Sequence, residues 1–185
     1  PWYNYTMNAF LGDRRGVVRK RRVLPIHGGA GTFFEPVENA EMQAIARDLL
    51  DKLDYTGIAS VCFKWNSRTG RPMVHEVNGR MPQGHMAFQM CGIDLPYIMY
   101  RDLLGEKFQA PAPTMSRKLF ILHMDLDALI GYRRAGELGI RDWLLTFGAR
   151  PYCAEFAWDD WKPFLFTLKL LLQRLGNRMG TVLFA

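Results

Sequence analysis

Glu76, Asn78 and Arg80 stand two apart in the stretch His75-Glu76-Val77-Asn78-Gly79-Arg80. On an extended strand, side chains at that spacing leave the same face. A carboxylate oxygen beside an amide oxygen, about 7 Å along the strand, offers hard ligands to a Mg²⁺ that also takes phosphate oxygens. Arg80 follows in step, with a guanidinium able to hold an anion. Val61-Cys62-Phe63-Lys64 reads as the partner strand, and a loop of about five residues sets Cys62 opposite Glu76 on that face. The triplet E-x-N-x-R is short, and an ordinary exposed strand face of polar residues has the same spacing.

These residues need a hairpin to hold them. Residues 58–65 and 73–78 read as its strands and 66–70 as its turn. Upstream, Tyr3, Tyr5, Met7 and Ala9 alternate with polar residues as in a half-buried strand, and an arginine-rich return over 17–24 completes an antiparallel pair. Pro25 ends that pair, and residues 27–32 follow as a glycine-rich loop. Asn39 reads as the N-cap of a helix whose Met42, Ile45, Ala46, Leu49, Leu50 and Leu53 recur at helical spacing. A loop over 79–84 leads to a short helix through Met86, Ala87 and Met90, closed by Gly92. Another helix runs from near Pro96 to before Gly105, and 110–113 is linker-like. Beyond it the expectations are a strand over 119–122, a helix over 125–132 and a strand near 151–156. A last helix starts from Trp161, capped by Asp159 or Asp160, with Leu165, Leu168, Leu172 and Leu175 as a core stripe. Strands and helices mix without strict alternation, so the expected class is α+β with a largely antiparallel sheet flanked by helices.

Composition narrows the function classes. The 185 residues are 49% hydrophobic and 23% charged, enough to bury a core without disulfides, which excludes collagen-like, low-complexity and disordered chains. Cys62, Cys91 and Cys153 are odd in number and form no CxxC pair, which excludes a disulfide scaffold and points to a reduced, cytoplasmic setting. No stretch reads as a targeting sequence or a membrane span. A net charge of +6 suits an anionic partner. Strand alternation sets Lys20 and Arg22 of the 19–22 cluster on one face, but no recognition module is visible and no nucleic-acid partner is expected. His27, His75, His85 and His123 lack zinc-like spacing, and Cys153 reads as a small core residue.

Several motifs recur in order. Leu53-Asp54-Tyr55-Thr56-Gly57-Ile58-Ala59, Phe63-Lys64, Thr69-Gly70-Arg71, Glu76-Val77-Asn78-Gly79-Arg80 and Gly92-Ile93-Asp94-Leu95-Pro96 resemble the C-terminal catalytic half of the ATP-grasp superfamily. Within it, the enzymes related to the carbamoyl-phosphate synthetase large subunit and the predicted carboxylate–amine ligases are most similar. Arg22 and the glycines of residues 28–31 look like that family's arginine-bearing strand and following loop. The resemblance covers about residues 5–105; residues 114–185 are similar, less specifically, to a C-terminal extension of such ligases. It divides the chain into a catalytic portion over 1–108 and an α/β extension over 109–185 packing on it.

The resemblance implies a ligase that uses ATP and Mg²⁺ to phosphorylate a carboxylate, after which an amine or thiol attacks the acyl-phosphate. Glu76 and Asn78 would hold the metal, with Lys64 beside them in cofactor binding. Arg80 and Arg22 would act catalytically on the phosphates, and Gly29, Gly31, Gln83 and His85 would line the substrate loop. Phosphoryl transfer of this kind needs positioning and charge neutralisation more than a protein nucleophile. Two residues depart from the family's pattern: Cys62 replaces a carboxylate or amide, and Gly79, expected only to loosen the loop, replaces proline. The family's adenine pocket and phosphate-binding lysines precede the matched motifs, so the chain is expected to work with an N-terminal remainder or partner chain, alone or as a homo-oligomer. A degenerate module kept for binding or assembly is the alternative that Cys62 leaves open.

Overall fold

Asn39 begins the first helix as its spacing predicts. In the computed structural model its Oδ1 accepts the amide of Met42 at 2.9 Å, and helix α1 runs Ala40–Lys52. The structure describes residues 4–9, 15–23, 30–37, 39–66, 68–106, 117–148 and 151–183, with backbone alone for 4–9, 15–23 and 175–183. Of the turn expected over 11–16, residues 11–14 lie outside them, while Arg15 and Gly16 belong to a strand; the glycine loop up to Gly29 and the linker-like 110–113 also lie outside them.

Alternating residues build two local hairpins, β1 (Asn4–Ala9) with β2 (Arg15–Val23), and β4 (Ala59–Asn66) with β5 (Arg71–Asn78). Strand β1 joins them, since Thr6 pairs with Val18 on one side and Cys62 on the other. With β3 (Gly31–Val37), β6 (Leu119–Phe120) and β7 (Tyr152–Cys153), the described strands form one sheet in the order β5-β4-β1-β2-β3-β6-β7. Every pairing is antiparallel except β6 with β7. The class is α+β, a largely antiparallel sheet flanked by helices.

Burial assigns the faces. Ala59, Val61 and Phe63 pack on Met42, Ala46 and Leu50 of α1, each large side chain contributing about 1.5–3 kcal/mol. On the other face Phe34 and Leu119 pack on α2 (His85–Gln89) and α3 (Leu95–Leu103) through Ala87, Phe88, Leu95 and Ile98. Asp94 caps α3 by accepting the Tyr97 amide at 3.0 Å, and Pro96 fits its first turn. Helices α4 (Leu122–Arg134) and α5 (Ile140–Phe147) are tied to β3 by Asp125, a fully buried carboxylate. It accepts Thr32 Oγ1–H and Trp143 Nε1–H, both at 2.8 Å. Helix α6 (Lys162–Leu183) closes the chain, with Asp160 Oδ1 accepting the amide of Lys162 at 3.4 Å.

The structure departs from the sequence expectations in several places, among them helix α5, which no expectation covers, and the strand near 151–156, which is only Tyr152–Cys153. Gly31 and Thr32 belong to β3 rather than to a loop; β3 is buried on both sides over residues 31–35, so it shows no period-2 signal. Helix α4 starts at Leu122 rather than at Asp125, because the remote Glu155 carboxylate accepts the amides of Leu122 (3.0 Å) and His123 (3.4 Å). That distant cap also shortens the expected strand over 119–122 to two residues. In α6, Leu165 (47%) and Leu172 (69%) are exposed rather than core. Phe164 meets Phe156 edge-to-face at 5.5 Å, turning the row Phe164, Thr167, Leu168 and Leu171 inward instead. Finally, the β2–β3 pairing shifts register between Lys20 and Arg22, which interrupts the alternation needed for those two residues to share a face.

Candidate functional site

The β4–β5 hairpin is built from its turn inward. Asn66 Oδ1 accepts the amides of Arg68 (3.0 Å) and Thr69 (3.4 Å), and Gly70 takes φ +65°, so the turn closes with Asn66 paired to Arg71. Strict antiparallel counting from that pair would set Cys62 against His75 and carry Glu76 and Asn78 to the α1 face. Instead the register shifts by one between Cys62 and Phe63: Phe63 pairs with Val74, but Cys62 pairs with Glu76 and Ser60 with Asn78. His75 is the extra residue of a bulge. A four-residue turn plus this bulge does what the sequence reading assigned to a five-residue loop.

The bulge puts Ser60, Cys62, Lys64, Glu76 and Asn78 on the face away from α1. Three rungs follow in order: Asn78 against Ser60, Glu76 against Cys62, and Lys64 against Met73. Successive rungs are about 7 Å apart, and paired Cβ atoms about 4.5–5.5 Å. Glu76 is exposed, Asn78, Cys62 and Lys64 are half-buried, and Ser60 is buried with its Oγ 4.0 Å from Cys62 Sγ. Among the described residues, Glu76, Asn78, Lys64 and Arg80 take part in no hydrogen bond or ion pair made by their side chains. A carboxylate, an amide and an ammonium group thus line one exposed shelf without satisfying one another. Because β5 is the outer strand of the sheet, Pro72 costs no ladder bond on its free side.

Arg80 is exposed in the bend just past the Asn78 rung. Gly79 is held there by a close approach: a Cβ on it would lie 2.9 Å from Tyr55 Oη, and that hydroxyl donates to the Ile58 carbonyl at 2.9 Å. So Gly79 is fitted against Tyr55, not merely a looser link. The loop then reaches Gly84, where a Cβ would meet the Phe34 ring at 2.7 Å. Within it Gln83 Nε2 donates to Met124 Sδ at 3.2 Å. His85 opens α2, its Nδ1 3.1 Å from the Pro82 carbonyl.

Not every expected residue joins this shelf. Val18 lies on the Glu76–Cys62–Thr6 row, so Arg22 is three strands (about 14 Å) across and about 10 Å farther along by backbone register. Gly31 is buried at the start of β3, paired with Val23, while Gly29 falls outside the described residues. Ser60 was missed; its place two before Cys62 was the available signal. No group of three or more His, Cys, Asp and Glu side chains among the described residues is arranged to hold a metal ion. Glu76 and Asn78 nevertheless suit the manner in which Mg²⁺ is usually held, by one or two protein oxygens with phosphate and water completing the shell.

No family model and no curated protein matches this chain. Among solved structures it is similar to pyruvate carboxylase of Rhizobium etli, at 17% identity and TM-score 0.48, over 62% of this chain and 13% of that one. The urea amidolyase of K. lactis aligns at 15% identity and TM-score 0.47, over 60% and 8% of the two chains. A single-chain, multi-domain long-chain acyl-CoA carboxylase aligns at 18% identity and TM-score 0.42, over 58% and 12%. The chain therefore spans a small part of each, and likenesses this distant leave the functional reading to its own residues.

Proposed function

We propose that the chain is the metal- and phosphate-binding side of an ATP-dependent ligase that activates a carboxylate as an acyl-phosphate for attack by an amine or thiol. The observation that carries the reading is the open rung of Glu76 beside Asn78, placed away from the core by the His75 bulge and followed by Arg80. The ordered ATP-grasp-like motifs around it supply the reaction class. On this reading Glu76 and Asn78 hold Mg²⁺, which when bound neutralises phosphate charge. Lys64, one rung beyond Glu76, attracts the nucleotide's phosphates by charge, and Arg80 stabilises the transferring phosphoryl group by charge-assisted hydrogen bonds. Gln83 and His85, on the loop beyond Arg80, face the carboxylate substrate.

The test is Mg²⁺-ATP binding by the full-length protein, with phosphate release in the presence of carboxylates and amines. Glu76→Ala on an exposed strand position leaves the melting temperature nearly unchanged and lowers phosphate release at least 100-fold. Wild-type turnover in that variant would remove Glu76 from the chemistry. The competing reading, a module kept for assembly, is favoured by one residue, Cys62 in place of a hard ligand. It predicts intact folding and partner binding with no nucleotide affinity in either protein.

A further inference from the structure

The donor set on the open face is mixed. Cys62 and Glu76 are direct cross-strand partners, and Asn78 lies one rung away on the same face. Paired Cβ atoms about 4.5–5.5 Å apart let a sulfur and a carboxylate oxygen converge on one ion, at metal–ligand distances of about 2.3 Å for sulfur and 2.0–2.2 Å for oxygen. Leaving His75 unpaired in a bulge keeps this convergence; were His75 to take a place in the ladder, Cys62 would face an imidazole and Glu76 would turn to the α1 side. Two further observations bear on a ligand rather than on packing. Glu76 and Asn78 spend no hydrogen bond or ion pair within the described protein, and β5 leaves Glu76 exposed at the outer edge of the sheet.

We infer that this hairpin binds a borderline-soft divalent cation of the Zn²⁺–Co²⁺ class through Cys62, Glu76 and Asn78, in preference to Mg²⁺. The inference rests on the ligase reading only for the role of the ion beside nucleotide phosphates; the donor set stands on the register. Thiolate sulfur is a poor partner for Mg²⁺ and a strong one for Zn²⁺ and Co²⁺, and nitrogen, oxygen and sulfur sites favour Co²⁺ and Zn²⁺ over Mn²⁺. Binding forms a sulfur–metal bond as the Cys62 thiol proton leaves to solvent, one proton per ion. Three protein donors leave a position open for water or a phosphate oxygen, the arrangement of a reactive rather than a closed structural site.

Cobalt reports the contact directly. Full-length protein titrated with Co²⁺ is expected to develop the near-ultraviolet sulfur-to-cobalt charge-transfer band, and Zn²⁺ to abolish it. Mg²⁺ at a hundredfold excess leaves the band in place. Cys62→Ser, nearly isosteric, removes the band, whereas Cys91→Ser and Cys153→Ser keep it; Glu76→Gln weakens Co²⁺ binding at least tenfold. Circular dichroism and thermal melting identify any variant that fails to fold, and Cys62→Ala then serves as the second test. Co²⁺ binding without the band, or a band that survives Cys62→Ser, overturns the proposal. If the band is absent while Glu76-dependent Mg²⁺-ATP binding persists, this inference fails and the ligase reading stands. If the band is present without any nucleotide affinity, the mixed site stands and the ligase reading fails.

Discussion

Glu155 shows how one side chain can set several others. Its carboxylate accepts the Leu122 and His123 amides, His123 Nδ1–H at 2.9 Å and the Cys153 thiol at 3.2 Å. Burial alone would raise its pKa, but the hydrogen bonds from Leu122, His123 and Cys153 outweigh that and hold it below the ordinary carboxylate value. Burial, aided by the hydrogen bond to Glu155, pushes the Cys153 thiol up to about 12, so it is a protonated donor at neutral pH rather than an inert piece of core. The signs follow from linkage. A lowered carboxyl contributes stability that is present above its ordinary value and lost as pH falls through the lowered one; a raised thiol contributes below its ordinary value and loses it as pH climbs towards about 12. Glu155→Gln, which keeps the shape but not the acceptor capacity, should therefore cost about 1–3 kcal/mol at pH 7. Urea unfolding at neutral and acid pH checks this: the gap between wild type and variant narrows in acid, and a gap that stays constant would show that the charge is irrelevant.

At the scale of elements, the hairpin of β4 and β5 depends on which residues pair rather than on the His75 side chain. Deleting His75 takes out the unpaired residue of the bulge, so Glu76 stays opposite Cys62 and Asn78 opposite Ser60 in strict pairing, on the side away from α1. The expected outcome is that metal and nucleotide binding and the unfolding free energy both change little, because Val61 and Phe63 keep their side against α1 and no charge is buried. Calorimetric titration and urea unfolding read the two effects. His75→Gly, which keeps the bulge and removes the imidazole, should retain binding too; loss of binding in either variant would mean that His75 itself, not the pairing of Cys62 with Glu76, matters. This hairpin was largely legible in the sequence: Asn66 and Gly70 announce the turn, and Glu76 and Asn78 announce their shared face. The bulge was not, because no residue type encodes a one-residue slip, and only the pairing Cys62 with Glu76 reveals it. Helix α1 was equally legible from Asn39 and its apolar rows. Strand β3 was hidden by burial on both faces, α5 by a short apolar segment between glycines, and the start of α4 by a cap that lies more than thirty residues away in sequence. Local rules see local partners; Glu155 and Asp125 act across the chain.

The whole molecule carries much apolar surface on its helical side. Leu144 and Leu145 of α5, Trp158, Trp161, and Leu165, Phe166 and Leu172 of α6 are all exposed. No helix among the described residues is long and apolar enough to cross a membrane. Surface of that size makes a chain adhesive in water. Leu145→Lys combined with Phe166→Lys should change the unfolding free energy by no more than about 0.5 kcal/mol per site, while reducing both dye binding by exposed hydrocarbon and concentration-dependent light scattering. A large loss of stability would show that these side chains are packed after all. One feature of the sheet also bears on assembly. Each hairpin joins strands close together in sequence, a microsecond event, but the shelf reaches its place only when β1 zips against β4 across everything from β2 to α1. That seam closes the longest loop among β1–β5 and carries the largest entropy toll of these pairings, so the order of events is set: two ready-made ribbons, then one slow docking step. Conditions that slow synthesis or refolding would catch the protein with its β4–β5 ribbon complete and its neighbours not yet alongside.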